Sequence, residues 1–536
     1  LLFSVLLFIG SLFFFVHESE HAEIQDTYES GALKGEVHEA RKLQKRLAKT
    51  LDGTSVQLCF KGELLACDRE SLTFYLPVDM ETDAWEAGTF ADQSGEFGIL
   101  PLEDYTRLEK KETVSSGYAV PFLAWNEKEG TCTTIYVVFT GLPVVRMETD
   151  ASLDVDTVFA GSVEFYENCG KEDWTLKSVF QAHERGQTTR AYPKKGYRVD
   201  LISVTSTGVI NKNKEKVLGM RKSDSWIFYA IYSDGTKVRD QFNTRIWDRL
   251  GAWDTPYDTR FGTSMKYVEL VVNGEYRGLY GIFEPIDSTQ LEISDQEYLY
   301  KRTYGRELLA ETMDSVAPSE YLTALGMELK GRNGQGNGEN WKCFRTFVEM
   351  CQSDDETFRA EAEKLLNMDN VADIWLYLQM MYAEDNVYKN MFFAFKKESD
   401  GYRMYLVPWD TDLTWGNTYV DDGEQLYVQW SPEHAQDYLE WPFLDRLLKL
   451  DVGNIREKVA ARWQKLRQDE LSDENLKNML DDCIHEVQDS GAFARDAARW
   501  PDSRHDGDYE GMESYLKTRI AWLDKTMKNM DEQIEK

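Results

Sequence analysis

The sequence predicts an α+β chain in which a small all-β domain precedes a β-rich lobe and then a helical lobe, behind an apolar N-terminal segment. Three observations predict this. Short β-rich runs broken by Gly, Asp and Pro turns fill residues 54–150, a strong hairpin signature occupies 266–283, and helical periodicity takes over from about residue 340. With 536 residues the chain is too long for one hydrophobic core, so more than one domain is expected. A hydrophobic fraction of 42% with 13% aromatics excludes a disordered chain. The balance of 61 Lys+Arg against 94 Asp+Glu leaves −33 at pH 7, which repels phosphate backbones and argues against a nucleic-acid partner.

From the N-terminus, residues 1–17 open with a run from Leu1 to Val16 that is apolar except for two Ser and one Gly. No small-x-small cleavage site follows Phe13-Phe14-Phe15-Val16, which favours an uncleaved signal anchor over a cleaved signal peptide. No second run of this kind follows. The rest of the chain is therefore expected outside the cytoplasmic membrane, anchored or secreted, with membrane contact through this segment only. Residues 18–50 are polar and charged, with helical character over Glu36–Leu51, and read as a stalk. Residues 51–150 form the small all-β domain, with strands expected at Ser55–Phe60, Leu72–Leu76 and Thr134–Phe139. The remainder, 151–530, is read as one larger domain.

Within that domain, Lys266–Val272, then Asn273-Gly274, then Glu275–Phe283 predicts a hairpin, because Asn-Gly supplies the two positive φ angles of a type I′ turn. Residues 236–250 place Val238, Phe242, Ile246 and Leu250 at four-residue spacing, and Gly251 stops the helix. The Gly/Asn-rich loop Gly331–Gly338 separates the β-rich half from the helical half. Seven cysteines occur without a CxxC, and seven histidines without HExxH, which suggests buried thiols and argues against a zinc site.

Three stretches carry candidate chemistry. Asp385 and Asn390 lie five residues apart on the loop expected between a helix over Val371–Tyr382 and a strand over Met391–Phe395. A carboxylate and a carboxamide at that spacing match a loop that orients an attacking hydroxyl and helps hold a metal. Asp410 and Asp412 end the strand that runs through Met404–Pro408, and two carboxylates flanking one residue suit a hard cation; the bland reading is a solvated turn. The stretch from His183 to Leu201 gathers Arg185, Arg190, Lys194, Lys195 and Arg198 in an otherwise anionic chain. Gly186 with Thr188-Thr189 permits a turn whose N–H groups could face phosphate. Strand alternation sends Lys194 and Lys195 to opposite faces; the bland reading is a solvated basic hairpin.

Read together, these stretches resemble the spore coat protein H (CotH) kinase family of atypical protein kinases. The resemblance rests on Arg185-Gly186, Thr188-Thr189, Pro193–Tyr197, Trp226–Asp234, Val238-Arg239-Asp240, Asn273–Tyr280 with Glu284, Asp385-Asn386, Asn390, and Pro408-Trp409-Asp410-x-Asp412, and it covers roughly 140–525. It implies a two-lobed kinase-like fold, with a β-rich N-lobe and a helical C-lobe, that binds ATP with Mg²⁺ or Mn²⁺ and phosphorylates Ser/Thr hydroxyls of a cell-surface or coat protein. It further implies Asp385 as the catalytic carboxylate and Asp410 as the metal carboxylate, with Asp412 and Asn390 as helpers. Lys195, or in its place Lys194, would contact phosphate. Glu284 would lie near the nucleotide, and Arg239, on one face with Asn243, would meet the phosphates or the lysine's partner. Arg185 belongs to the same nucleotide-binding set. The chain lacks the GxGxxG loop, the His-Arg before the catalytic Asp and the Asp-Phe-Gly of ordinary protein kinases. About 25 residues separate Asp385 from Asp410, which leaves no long activation loop. Two other readings stand beside this one: a non-catalytic surface or coat assembly scaffold, and a glycoside hydrolase using Asp385 and Asp410, against which the clustered lysines count.

Overall fold

The computed structural model describes residues 32–151, 157–186, 188–252, 254–331, 337–420, 426–429 and 432–530; the apolar segment 1–16 and most of the 331–338 loop lie outside them. Among the described residues no helix is long and apolar enough to cross a membrane, and no cysteine is in a disulfide. The chain is mixed α+β and divides into two units. The first comprises Leu1–Tyr232, Lys266–Glu284 and Ile484–His505; the second comprises Ser233–Met265, Pro285–Cys483 and Asp506–Lys536.

The first unit is built on an 8-stranded sheet that closes on itself. Strand Thr175–Arg185 pairs with Phe159–Tyr166 on one side and with Gly196–Val204 on the other, so the ring leaves neither strand as an edge. Alternation in the sequence fills the interior. Tyr197, Val199 and Leu201 of one strand and Phe159, Val163 and Phe165 of another point inward, with Arg198, Asp200, Ser162 and Glu164 between them. The expected hairpin is present: Met265–Val272 and Glu275–Phe283 are neighbours, joined by Asn273 at φ 53° and Gly274 at φ 72°.

A 5-stranded sheet, in the order Ala66–Asp68, Thr73–Pro77, Thr131–Thr140, Ala119–Asn126, Gly98–Pro101, accounts for most of the predicted all-β region. Of the expected strand Ser55–Phe60 only Leu58–Phe60 pairs, in a separate sheet, because Gly53–Ser55 forms a 3-10 turn capped by Asp52. No packing boundary falls at residue 150. The core of this region, with Phe74, Phe122 and Val137, continues through Val144, Tyr166, Trp174, Val271 and Tyr276, and Tyr75 stacks on Tyr276 at 4.8 Å. The helix expected in the stalk spans Ala32–Arg46 and is a packed element: Ala40 and Leu43 bury against Leu102, Leu123 and Cys132.

The basic stretch is fixed by a contact 302 residues away in sequence. Lys194 is buried, donates to Asp496 Oδ1 at 2.7 Å and to the Leu279 carbonyl at 2.5 Å, and lies 4.8 Å from the Tyr280 ring centre. Asp496 also accepts the Leu279 N–H and contacts His505 Nε2 at 2.8 Å. Gly278 makes this approach feasible, since a Cβ there would stand 2.1 Å from Asp496 Oδ1 and its φ is +91°.

The second unit centres on a 4-stranded sheet in the order Met327–Lys330, Tyr298–Arg302, Met391–Glu398, Gly401–Pro408, with helices on it. Helix Met368–Met381 is buried from Val371 onward, and Asn370 pins it to the sheet, with its amide bonding both the N–H and the carbonyl of Leu406. Helix Arg239–Leu250 follows the predicted periodicity: Val238, Phe242, Ile246 and Leu250 are each 0% exposed, and Gly251 ends it. Its first turn is tied by buried Asp234, which accepts the Arg239 N–H, the Thr236 N–H and hydroxyl, and the Arg239 guanidinium.

Two expectations follow. Asp496→Ala strands the buried Lys194 ammonium and should destabilise the chain by about 3–5 kcal/mol in urea unfolding, whereas pairing Lys194→Met with Asp496→Leu should recover most of that loss. Burial pushes the Asp234 carboxyl up, but the Arg239 charge, the Arg239 N–H and the Thr236 donors outweigh it, so it titrates below the usual range. The native state therefore holds that proton less tightly than the unfolded chain. The stability it contributes is complete above the unfolded value of about 3.9 and is lost as pH falls through the folded value. Urea midpoints of the unsubstituted chain and Asp234→Asn should differ at neutral pH and begin to converge only as pH falls below about 4, toward the lower folded value.

Candidate functional site

Helix Met368–Met381 ends at Tyr382, whose left-handed conformation turns the chain so that Ala383 N–H bonds the Leu378 carbonyl. A single helical turn, Glu384–Tyr388, follows and carries Asp385, where the sequence predicts a loop connecting helix to strand. Asn390 then sits at φ 56° just before strand Met391–Glu398. Its amide donates to Asp385 Oδ2 at 2.7 Å, while Lys389 approaches Asp385 Oδ1 at 3.2 Å. Thus the carboxylate and carboxamide five residues apart do meet, and the amide nitrogen fixes the orientation of the acid.

Strand Gly401–Pro408 delivers the second pair. Asp410 and Asp412 lie beyond the strand, in a turn entered through Asp410 at φ 59°, a conformation that Asp tolerates better than most residues. The two acid-bearing turns are stapled together. Trp409 N–H bonds the Asn390 carbonyl at 3.1 Å, and the buried Asn386 amide donates to the carbonyls of both Trp409 (2.9 Å) and Asn390 (3.2 Å). Asp412 Oδ2 accepts the Ser233 hydroxyl at 2.7 Å.

Electrostatics mark these acids off from a solvated turn. Burial and then the neighbouring Asp410 push the Asp412 carboxyl up to about 7. Burial, then Asp412 and Asp410, drive Asp240 well above the carboxylate range. Asp385 is raised by burial and by Asp410, against the pull of Lys389. Like charges crowded out of water favour either a proton or a cation among them. Among the described residues no three His, Cys, Asp or Glu side chains gather to chelate a metal by themselves. That still fits Mg²⁺, which takes one or two protein carboxylates and completes its shell with water and phosphate oxygens. Asp410, which accepts no hydrogen bond from the described residues, and Asp412 are the residues that would hold it. The Asn390 amide oxygen is a further donor of the right type. A cavity of about 260 Å³ opens against Asp385, walled by Tyr382, Tyr388, Leu413, Asn417 and Tyr419.

The structure brings Asp385, Asn390, Asp410 and Asp412 together within the second unit. Arg239 belongs to the same unit but does not face an open ligand site: it is 1% exposed, pairs with Asp234 and donates to the Thr236 hydroxyl and the Thr414 carbonyl, each at 3.0 Å. Asn243, read as sharing that phosphate-facing side, instead bonds the Thr411 carbonyl, the Thr414 hydroxyl and the Trp415 indole. The remaining nucleotide-binding candidates lie in the first unit. Lys194 is committed to Asp496. Lys195 is half-buried and donates to the Arg190 carbonyl at 2.6 Å. Arg185 ends its strand opposite Gly196, and Glu284, 4% exposed, accepts the Arg221 N–H. Sequence reasoning missed the supporting roles of Asp240, Asn386 and Ser233. A signal for two of them, Asp240 and Asn386, lies in the Val238-Arg239-Asp240 and Asp385-Asn386 motifs, whose last residue is also polar.

No curated protein matches the chain. The family described as CotH kinase protein matches residues 182–523, more than half of the chain, from strand Thr175–Arg185 into helix Tyr509–Lys528 and across Asp240, Asp385, Asp410 and Asp412. The chain belongs to the CotH kinase protein family.

Proposed function

We propose that the protein is an atypical protein kinase that transfers the γ-phosphoryl of ATP to Ser/Thr hydroxyls of a cell-surface or coat protein, with Mg²⁺ or Mn²⁺, in a two-lobed kinase-like arrangement and outside the cytoplasmic membrane. The observation that carries this reading is the stapling of the Asp385–Asn390 turn to the Asp410–Asp412 turn beside a cavity. One acid is thereby fixed for an incoming hydroxyl, and a separate acidic pair for a cation.

Phosphoryl transfer asks a protein mainly for positioning and charge stabilisation. A divalent cation, when bound with the triphosphate, supplies the positive charge that offsets the phosphate oxygens. Asp385 orients the acceptor hydroxyl and takes its proton; burial and Asp410 make its carboxylate more basic than a solvated one. Asn390 holds Asp385 Oδ2, leaving Oδ1 as the atom that turns between Lys389 and the hydroxyl. Tyr382, Tyr388 and Leu413 give the cavity an apolar wall against which an acceptor segment can lie beside Asp385.

One observation favours the second reading, a scaffold that keeps the fold without catalysis. Lys194, one of the two candidate phosphate lysines, has its ammonium at 0% exposure on Asp496.

Incubation of the full chain with ATP, Mn²⁺ or Mg²⁺ and a surface-protein extract tests the proposal. Metal-dependent phosphate transfer is expected, Asp385→Asn should lower its rate about 10²–10⁴-fold, and ATP affinity should change little. Transfer unchanged in Asp385→Asn removes that residue from the chemistry, and no metal-dependent ATP turnover in the unsubstituted chain moves the assignment to the scaffold.

A further inference from the structure

Helix Arg239–Leu250 places Asp240 and Asn243 three residues apart, hence on one face. Both are buried, at 4% and 0% exposure. Each reaches the acidic turn through hydrogen bonds to Thr411, the residue between the two acids. Asp240 Oδ1 accepts the Thr411 N–H at 3.1 Å and the Thr411 hydroxyl at 3.3 Å. Asn243 Nδ2 donates to the Thr411 carbonyl at 2.8 Å and the Thr414 hydroxyl at 2.9 Å, while its Oδ1 takes the Trp415 indole N–H at 2.6 Å. The Thr414 hydroxyl in turn donates to the Thr411 carbonyl at 2.8 Å. The one residue between the two acids is therefore gripped by its N–H, its carbonyl and its side chain.

We propose that Asp240 and Asn243 are positioning residues which, through Thr411, set the spacing and direction of the Asp410 and Asp412 carboxylates for a divalent cation, with Asp240 itself outside the cation's ligand shell. This rests on the metal-binding part of the function proposed above. The argument is one of freedom. A turn entered at φ 59° through a non-glycine residue does not hold its shape unaided, and its two side chains diverge or converge with the orientation of the intervening residue. Fixing both polar ends of Thr411 removes that freedom. The contact also discriminates between roles. One oxygen of Asp240 takes both Thr411 donors, and an amide oxygen, with two lone pairs, can take both equally well. A group that acts by accepting hydrogen bonds tolerates Asp→Asn, whereas a cation ligand or an obligatory charge does not.

The test is a Mn²⁺ titration of the full chain, read by electron paramagnetic resonance without nucleotide. Asp240→Ala and Asn243→Ala should weaken Mn²⁺ binding by about tenfold or more, as loss of an outer support to a metal site does. Asp240→Asn should stay within about threefold of the unsubstituted chain, and Asp410→Asn should lose most binding. If the alanine variants fail to fold, the contrast between Asp240→Asn and Asp410→Asn carries the test. Loss in Asp240→Asn equal to that in Asp410→Asn, unchanged binding in folded Asp240→Ala, or no Mn²⁺ binding by the unsubstituted chain overturns the proposal. Phosphate transfer is not read here, so a chain that shows this Mn²⁺ pattern yet transfers no phosphate keeps the clamp and loses the kinase assignment.

Discussion

Carboxylates that repel one another govern the second unit. Buried Asp240 and desolvated Asp412 lie beside half-buried Asp410 and Asp385, and the rise of Asp412 to about 7 corresponds to roughly 4 kcal/mol set against its ionisation. A protein that needed these residues only for packing would do as well with amides or apolar side chains, since buried ionisable groups seldom add stability. Here the surrounding chain is organised to keep acids in place. Ser233 and Thr411 offer hydroxyls, Asn243, Asn386 and Asn390 offer amides, and strand Gly401–Pro408 is pinned by Asn370. These donors are neutral. They hold the geometry without bringing a positive charge to Asp410 or Asp412, which leaves the region suited to an added cation.

Backbone conformation carries part of the same constraint. Asn390 and Asp410, and Tyr382 and Trp415 flanking them, all have positive φ although none is glycine. Such residues persist when packing and hydrogen bonds over-determine them. The Asn386 amide does this at Asn390, whose carbonyl it bonds, and at the entry to Asp410 through the carbonyl of the preceding Trp409. Each turn thereby supports the other: loosening the Asp385 turn releases the carbonyl that fixes the entry to Asp410.

Much of this was legible in the sequence where local rules suffice. The four-residue spacing of Val238, Phe242, Ile246 and Leu250 and the Asn273-Gly274 turn depend on short-range periodicity and φ preference, and both elements formed where expected. The meeting of Asp385 with Asn390 likewise follows from a five-residue separation. What stayed hidden depends on distant chain. A boundary drawn at residue 150 from composition could not register that Tyr75 would stack on Tyr276 or that the Thr131–Thr140 strand would share a core with Trp174. Nor could the 18–50 stretch disclose that Ala40 and Leu43 would be covered, since two small or aliphatic residues on a charged helix give little periodic signal.

The basic residues make the same point in its chemical form. Arg239 and Lys194 were both read from neighbouring motifs as contacts for an anionic ligand, and each has an anion already, Asp234 in one case and Asp496 in the other. Residue type and spacing could not separate a cation that meets a substrate phosphate from one that ties the chain to itself, because both need charge, reach and a nearby turn. Burial separates them. A fully desolvated ammonium without a carboxylate would be untenable, so a lysine with 0% exposure must have an internal partner, and the partner's position then explains the motif around it. Gly278 of the Gly-Leu-Tyr run has no Cβ because Asp496 occupies that space, and Leu279 gives both its N–H and its carbonyl to the Lys194–Asp496 pair. This run, read from the sequence as a hairpin strand, is thus also the socket of a buried ion pair. The chemistry proposed for this chain then falls to the acids, two of which burial and mutual repulsion leave with raised affinity for a proton or a cation.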